Sequence, residues 1–310
     1  MPEPLNRREL ITHILRDLEN LKKSSSFENK YALEENITFF EAIKSFPTYI
    51  KWLFTKAPKL QREKLLELTD FPFPHWDREM HLKLIEVEKK NFPSLVAPLV
   101  NKIYELIIKS RNRFIGVSLG CGGMEVERQV IKKLLNIKHN QQVVLIGVDK
   151  STVTHEIAKD NLREIEPYID IHEVEHLNNL ILEKILKDET NYHVVIICKN
   201  DIFELAKDFR SKEFDLIYHS LFKHHLNGEH KQAIDLIIGE LAKKIVEYDG
   251  FKNLFAFIPQ TIIGWRYPFF LNAEIFSNLR YFQRWELKTT YRDLNIKFFN
   301  ALGTYLVERP

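Results

Sequence analysis

The chain has 310 residues, 45% of them hydrophobic and 28% charged, which is the composition of an ordinary globular protein. Its formal net charge at pH 7 is only +2, so the totals give no strong attraction to nucleic acid or to an anionic membrane. The two cysteines, Cys121 and Cys198, are too few for a disulfide framework. No uncharged apolar run approaches the roughly 18 residues of a transmembrane helix, and the N-terminus lacks the apolar segment of a secretory signal. We therefore expect a cytoplasmic protein with no membrane span.

Apolar residues at helical spacing run through most of residues 5–110, with breaks at prolines such as Pro47, Pro58 and Pro93. The last predicted helix, residues 94–109, leads directly into the first predicted strand. No internal repeat or low-complexity tract is visible in this part of the chain. We interpret residues 1–110 as an ordered helical cap that precedes a second domain over residues 111–310.

From residue 114 onward, strand patterns alternate with helical ones. The predicted strands cover residues 114–119, 141–149, 192–198, 214–220 and 251–259, and the predicted helices begin at residue 125 and cover 152–165, 176–187, 203–209 and 228–248. Such alternation predicts a parallel sheet with both faces covered by helices. The segment over 166–190 is longer than a minimal connection, so we expect an insertion or an extended crossover there.

Two more strand-like segments, residues 284–291 and 298–307, are separated by only a few turn residues. So short a link cannot make a crossover, and the pair must therefore run antiparallel. The fold class that follows is α/β, with a doubly wound, mostly parallel seven-stranded sheet that ends in an antiparallel hairpin. A dinucleotide dehydrogenase would be expected to continue with further strand–helix units instead.

The first strand ends in a glycine-rich turn, and a helix begins at once after it. Glycine at positions 120, 122 and 123 lets the backbone adopt positive φ and approach a ligand closely. The free N–H groups at the start of the following helix then point toward that ligand. Strand, tight turn and helix in this order predict a nucleotide-binding crevice, although a tight turn without a ligand has the same pattern.

With four strand ends in the expected order, residues 110–310 resemble the class I S-adenosylmethionine-dependent methyltransferases. The glycine motif of that family is acidic-x-Gly-x-Gly-x-Gly. Gly120 and Gly122 match it, whereas Ser118 stands in place of the acid and Met124 in place of the third glycine. The resemblance implies S-adenosylmethionine as cofactor, bound at a loop that contains Ser118, Gly120, Cys121 and Gly122. The role of the acid falls either to Ser118 or to Glu125 or Glu127 of the following helix.

The next two strand ends carry the other acids that the resemblance implies. Asp149, followed by Lys150, matches the acid that accepts hydrogen bonds from the ribose hydroxyls. Asp201 matches the acid that accepts from the adenine amino group, and Ile202 would pack on the adenine ring. A second interpretation applies to both acids, because Asp149 and Asp201 also precede predicted helices and are suitable N-caps.

The fourth predicted strand leads into a histidine-rich loop. By the resemblance, His219 and Ser220 line the cofactor near its sulfonium, and His224 or His225 acts as general base, since imidazole titrates near neutral pH. Packing or helix capping by these histidines is the alternative. A metal site is not expected, because no carboxylate or thiol completes a ligand set.

Arg266 and Tyr267 follow the fifth predicted strand, where family members place elements that face the substrate. An arginine among aromatic residues suits a planar or anionic acceptor. The resulting hypothesis is a methyltransferase for the oxygen or nitrogen of a small or medium-sized acceptor enclosed by the cap. Two alternatives remain open: a methyltransferase that acts on RNA or a peptide, and a non-catalytic cofactor-binding module.

Overall fold

The computed structural model describes residues 94–111, 113–137, 141–149, 151–188, 193–199, 202–223, 228–252, 281–299 and 303–310. The helices of this part are α1 (Ala97–Lys109), α2 (Glu125–Leu135), α3 (Thr152–Leu162), α4 (Asn179–Asp188), α5 (Ile202–Asp208), α6 (Gly228–Leu241) and α7 (Arg284–Thr290). The strands are β1 (Phe114–Leu119), β2 (Val143–Val148), β3 (Asp170–Val174), β4 (His193–Cys198), β5 (Leu216–Ser220), β6 (Ile245–Gly250), β7 (Ile296–Phe299) and β8 (Thr304–Arg309). Most of the predicted cap, residues 1–93, lies outside the described residues, so the division at residue 110 stays a prediction.

The strands form one mostly parallel sheet in the order β3-β4-β2-β1-β5-β6-β8-β7. Strand β8 pairs antiparallel with β6 and with β7, which makes the C-terminal hairpin. The predicted fold class, a doubly wound parallel sheet that ends in an antiparallel hairpin, is confirmed. Among the described helices, none is long and apolar enough to cross a membrane.

Helices cover both faces of the sheet because alternate strand residues point to opposite sides. On one face, α1, α2 and α3 bury their apolar stripes against residues such as Phe114, Leu145 and Val195. On the other face, α4, α5 and α6 pack against residues such as Val117 and Ile146. The central strands β2 and β4 are buried along their whole length, which explains their continuous apolar sequences.

The described sheet has eight strands, so the predicted count of seven is corrected. The additional strand is β3, which lies within the segment that we expected to be an insertion or crossover. It pairs only with β4 and is therefore an edge strand. Its residues Asp170–Val174 are partly exposed and largely polar, so they lack the buried apolar run that marked the central strands.

Two other element assignments are wrong. The helix predicted over 228–248 ends at Leu241, and residues Ile245–Gly250 form β6, whereas most of the strand predicted over 251–259 lies outside the described residues. The strand predicted over 284–291 is the helix α7, which begins with a capping box between Gln283 and Glu286. The first strand of the hairpin is instead Ile296–Phe299, and a turn at Gly303, with φ of 65°, separates it from β8.

Candidate functional site

The carboxyl ends of β1, β2, β4 and β5 lie along one edge of the sheet. Counted outward from β1, the chain continues through β2 on one side and returns through β5 on the other. The strand order therefore reverses between β1 and β5, and in open α/β sheets ligands bind in the crevice outside such a reversal. Two loops border this crevice: the glycine turn after β1, residues 120–124, and the loop after β5, which begins at residue 221.

The glycine turn after β1 is fastened to the end of β2 through its backbone. The N–H groups of Gly120 and Cys121 donate to the carbonyl oxygen of Val148 at 2.9 and 3.3 Å. Gly120 and Gly122 have φ of 59° and 52°, in the left-handed region that favours glycine. Met124, which occupies the position of the family's third glycine, also has positive φ, 54°, and immediately precedes helix α2. The turn therefore keeps the left-handed conformation at this position without a glycine.

Asp149 joins the glycine turn to the start of helix α3. Its Oδ2 accepts the N–H of Gly122 at 3.0 Å, and its Oδ1 accepts the N–H of Ser151 at 2.9 Å. The Nε2 of His155 lies 2.9 Å from the backbone oxygen of Asp149 and helps to hold that residue in place. A carboxylate offers about four acceptor positions, so two remain for ligand hydroxyls. Asp149 thus accepts a hydrogen bond from the backbone just before helix α3, and it still has acceptor positions for the predicted bonds to ribose.

Ser118 lies under the glycine turn in a buried polar group with Tyr218 and Glu127. Ser118 and Tyr218 are partners in the parallel register of β1 and β5. The Tyr218 hydroxyl donates to Glu127 Oε1 at 2.7 Å, and Ser118 also hydrogen-bonds to Glu127. Burial raises the pKa of the Glu127 carboxyl, and these two hydrogen bonds partly oppose that shift. Of the two helix acids that could stand in for the motif acid, Glu127 reaches Ser118, whereas Glu125 pairs with Arg128.

The thiol of Cys121, within the glycine turn, is held in its neutral form. Burial raises the pKa of this thiol well above its ordinary value, and the nearby negative charge of Asp149 adds to the shift. A neutral thiol is a weak nucleophile. Cys121 therefore contributes its backbone and its volume to the turn rather than a reactive group.

His219 and Ser220 end β5 at the border of the crevice. His219 is buried, and within the described part of the chain neither of its ring nitrogens has a hydrogen-bond partner. Burial lowers the pKa of this imidazole, so it is neutral at pH 7. Ser220 is half-buried. A buried imidazole without partners beside a ligand crevice fits the predicted place near the cofactor, because such a group gains most from a ligand that hydrogen-bonds to it.

The other predicted site residues are less informative. Ile202 is the first residue of α5 and packs into the core on the α4–α6 face, so its contact with an adenine ring stays a prediction. Six residues lie outside the described part of the chain, and their predicted roles stay predictions: Lys150, Asp201, His224, His225, Arg266 and Tyr267. Among the residues that are described, no group of three or more His, Cys, Asp or Glu side chains could hold a metal ion.

Phe222 was not predicted as a site residue. It belongs to the loop after β5, and its ring lies against the glycine turn. A Cβ added at Gly120 would lie only 2.3 Å from Cδ2 of Phe222, so the ring packs directly on the glycine backbone. Leu221, the preceding residue, has a φ of 51°, which is rare for a residue with a side chain. The apolar stretch Leu221–Phe222 gave no sign of this role, because the contact depends on a left-handed turn that the sequence does not mark with glycine.

Comparison with known proteins gives methyltransferases of low sequence identity. No protein-family model and no curated protein matches the chain. Among solved structures, it is similar to the plantazolicin methyltransferase BpumL in complex with SAH, at 12% identity and a TM-score of 0.46, over 87% of this chain and 100% of that one. A SAM-dependent methyltransferase from Archaeoglobus fulgidus matches at 16% identity and a TM-score of 0.43, over 73% and 98%. An O-methyltransferase family protein from Burkholderia thailandensis matches at 11% identity and a TM-score of 0.42, over 92% and 75%.

At these identities and TM-scores, the function proposed below rests on this chain's own residues. The described sheet has the arrangement that the resemblance implies, namely a doubly wound parallel sheet whose last two strands form an antiparallel hairpin. The fold is Rossmann-like. Its crevice combines a left-handed glycine turn, an acid at the end of β2 and a buried histidine at the end of β5.

Substitution of the two left-handed glycines separates the effect of the backbone from that of the aromatic ring. Gly122→Ala should lower the free energy of unfolding by about 1–2 kcal/mol, the cost of a left-handed residue with a Cβ, because an added Cβ there meets no atom within 4 Å. Gly120→Ala should cost about 1–3 kcal/mol more, since its Cβ also displaces the Phe222 ring. Urea unfolding measures both. If Gly120→Ala costs as much in a Phe222→Leu background as in the wild type, the ring contact is not the cause.

Proposed function

We propose that this chain is an S-adenosylmethionine-dependent methyltransferase that methylates an oxygen or nitrogen of a small or medium-sized acceptor. The observation that carries the proposal is the hydrogen bond from the Gly122 N–H to the Asp149 carboxylate. It brings a left-handed glycine turn and a strand-end acid together at the reversal of the strand order, where a nucleoside ligand of such a sheet binds. The hairpin β7–β8 favours a methyltransferase over a dinucleotide dehydrogenase.

The residues present fit the cofactor in three places. Asp149 keeps two acceptor positions for the ribose hydroxyls. Within the part of the chain that the structure describes, no side chain fills the space beside the backbone at Gly122. His219 and Ser220 would border the sulfur end, and Asp201, Ile202 and Lys150 would hold the adenosine end.

S-adenosylmethionine supplies a methyl group on a sulfonium, which an acceptor nucleophile displaces in line. The group that leaves is a neutral thioether, which needs no acid assistance, so the protein contributes mainly proximity and orientation. Where the acceptor carries a proton, a base has to remove it. We assign this task to His224 or His225, because both follow in sequence the strand β5, whose carboxyl end lies at the same edge of the sheet as Asp149.

The acceptor would bind above the same edge. The proposed walls are the helical region that precedes α1 and the segment with Arg266 and Tyr267. An enclosed pocket of this kind favours a small or medium-sized acceptor over a macromolecule docked from solvent.

Calorimetry with S-adenosylmethionine and with S-adenosylhomocysteine tests the cofactor assignment. Both should bind to the wild type, and Asp149→Ala should weaken binding by about 1.5–3 kcal/mol, the range for hydrogen bonds to a charged group. Asp160→Ala is the matched control, because Asp160 is an exposed acid on the neighbouring helix α3, and it should bind as the wild type does. Tight binding of a nicotinamide dinucleotide, with no binding of either sulfur ligand, would overturn the assignment.

Incubation with radiolabelled methyl donor and candidate acceptors tests catalysis. In His224→Ala or His225→Ala, turnover should fall by roughly 10²–10⁴-fold, the usual contribution of a general base, while cofactor affinity stays the same. Full turnover in both variants would remove these histidines from the chemistry. Cofactor binding without any methylated product would favour a non-catalytic module, and label found only in RNA or peptide would exclude the small-acceptor proposal.

A further inference from the structure

A buried cluster of charged side chains lies next to the carboxyl end of β5. Lys223 Nζ donates to both carboxylate oxygens of Glu247 at 3.0 Å and to Asp235 Oδ1 at 2.7 Å. Arg309 Nη1 donates to Glu247 Oε1 at 2.7 Å and to Asp235 Oδ1 at 3.0 Å, and the Tyr291 hydroxyl donates to Glu247 Oε2. We call this group of five side chains the β6 cluster: Lys223, Glu247, Asp235, Arg309 and Tyr291.

The β6 cluster has two positive and two negative side chains, and its inner pair, Lys223 and Glu247, is shielded from water. The side chain of Glu247 is 0% exposed and that of Lys223 is 3% exposed. Burial, the largest single influence, would raise the pKa of Glu247, but the charges of Lys223 and Arg309 and the hydrogen bond from Tyr291 act together against it and lower the pKa to about 2. Glu247 is therefore ionised at pH 7, and the formal charges of the two acids and the two cations sum to zero.

The cluster borders the crevice through His219 and through the loop after β5. Glu247 is the register partner of His219, and its Oε2 lies 4.0 Å from His219 Nε2. Lys223 follows the end of β5 by three residues, directly after Phe222, whose ring packs on the glycine turn at Gly120. Glu247 is therefore adjacent to the side chain that we propose to border the ligand sulfur.

We propose that the charge balance of the β6 cluster determines how the crevice discriminates between a cationic sulfonium and an uncharged thioether, with Lys223 and Glu247 as its specificity-determining residues. The inference rests on the proposed function, because it concerns the two sulfur ligands of that site. Glu247 compensates the charge of Lys223, so the buried lysine does not repel the positive methyl donor. The dissociation constants of the two ligands distinguish a failure of this inference from a failure of the proposed function.

An unbalanced charge would have a measurable effect. By Coulomb's law, a unit charge about 10 Å from a charged ligand atom changes the affinity by roughly tenfold or more at an effective dielectric constant near 20. It leaves the affinity for an uncharged ligand atom at the same place almost unaltered. Loss of packing, in contrast, weakens both ligands alike, so the ratio of the two dissociation constants isolates the charge.

The test is the ratio of the dissociation constant of S-adenosylmethionine to that of S-adenosylhomocysteine, measured by calorimetry. Glu247→Gln leaves a net charge of +1, and it should raise this ratio roughly tenfold. Lys223→Met leaves −1 and should lower the ratio by a similar factor. The double variant is neutral again, so its ratio should return to that of the wild type even if both ligands bind more weakly.

Two controls complete the design. Lys243→Met removes one partner of an exposed ion pair with Asp215 and should leave the ratio unchanged. If Glu247→Gln does not fold, Asp235→Asn replaces it, because Asp235 belongs to the same cluster and its side chain is 29% exposed. It should raise the ratio in the same direction.

The outcomes separate the two claims. If the wild type binds neither ligand, the proposed function fails. If it binds both and the single variants leave the ratio unaltered, or shift it in the same direction, the β6 cluster has no role in discrimination and the proposed function stands. Opposite shifts that cancel in the double variant establish the inference.

Discussion

Three hydrogen bonds between the turn after β1 and the end of β2 hold the candidate site together. Two run from the N–H groups of Gly120 and Cys121 to the carbonyl of Val148, and the third runs from the Gly122 N–H to the Asp149 carboxylate. They require left-handed backbone at positions 120 and 122, which explains the glycines there. The acid at the end of β2 is thereby placed beside the turn at the reversal of the strand order. Every role proposed for the crevice depends on this arrangement.

The central part of the fold could be predicted from the sequence because buried positions there accept almost only apolar residues. Strands β2 and β4 are buried on both faces, so every residue along them except His193 is apolar. Asp149 could be found because it directly follows such a strand. Its bond to Gly122 could not, since that contact depends on how the two loops fold over each other.

The errors in the prediction occur where charge is buried or exposure is partial. The helix predicted over 228–248 runs into strand β6, which contains two buried acids, Glu247 and Asp249, and therefore lacks the continuous apolar run of a central strand. The acid at 247 is tolerated only because Lys223 and Arg309 reach it from distant parts of the chain. Strand β3 was missed for the opposite reason, as it lies at the sheet edge and needs few apolar residues. Arg284–Thr290 contains residues typical of strands, but the capping box at Gln283 fixes it as a helix.

Ser118 stands where the resemblance implies an acid in the glycine turn. Glu127 of helix α2 approaches this position and meets Ser118 and Tyr218 in the core. A buried carboxylate is thus present beside the turn, but it comes from the helix and not from the strand. The sequence contained this alternative, but Glu125 was an equally good candidate until the packing of α2 was known.

The position of the ligand is the central claim, and amide chemical shifts measure it most directly. In spectra of the ¹⁵N-labelled protein titrated with S-adenosylhomocysteine, we expect the largest shifts at residues 118–122, 149–151 and 219–222, which border the crevice. The amides at the opposite edge of the sheet, where the parallel strands begin, such as those of Gln142 and Lys244, should not move. Shifts confined to that opposite edge, or no shifts at all at saturating ligand, would contradict a cofactor site between β1 and β5.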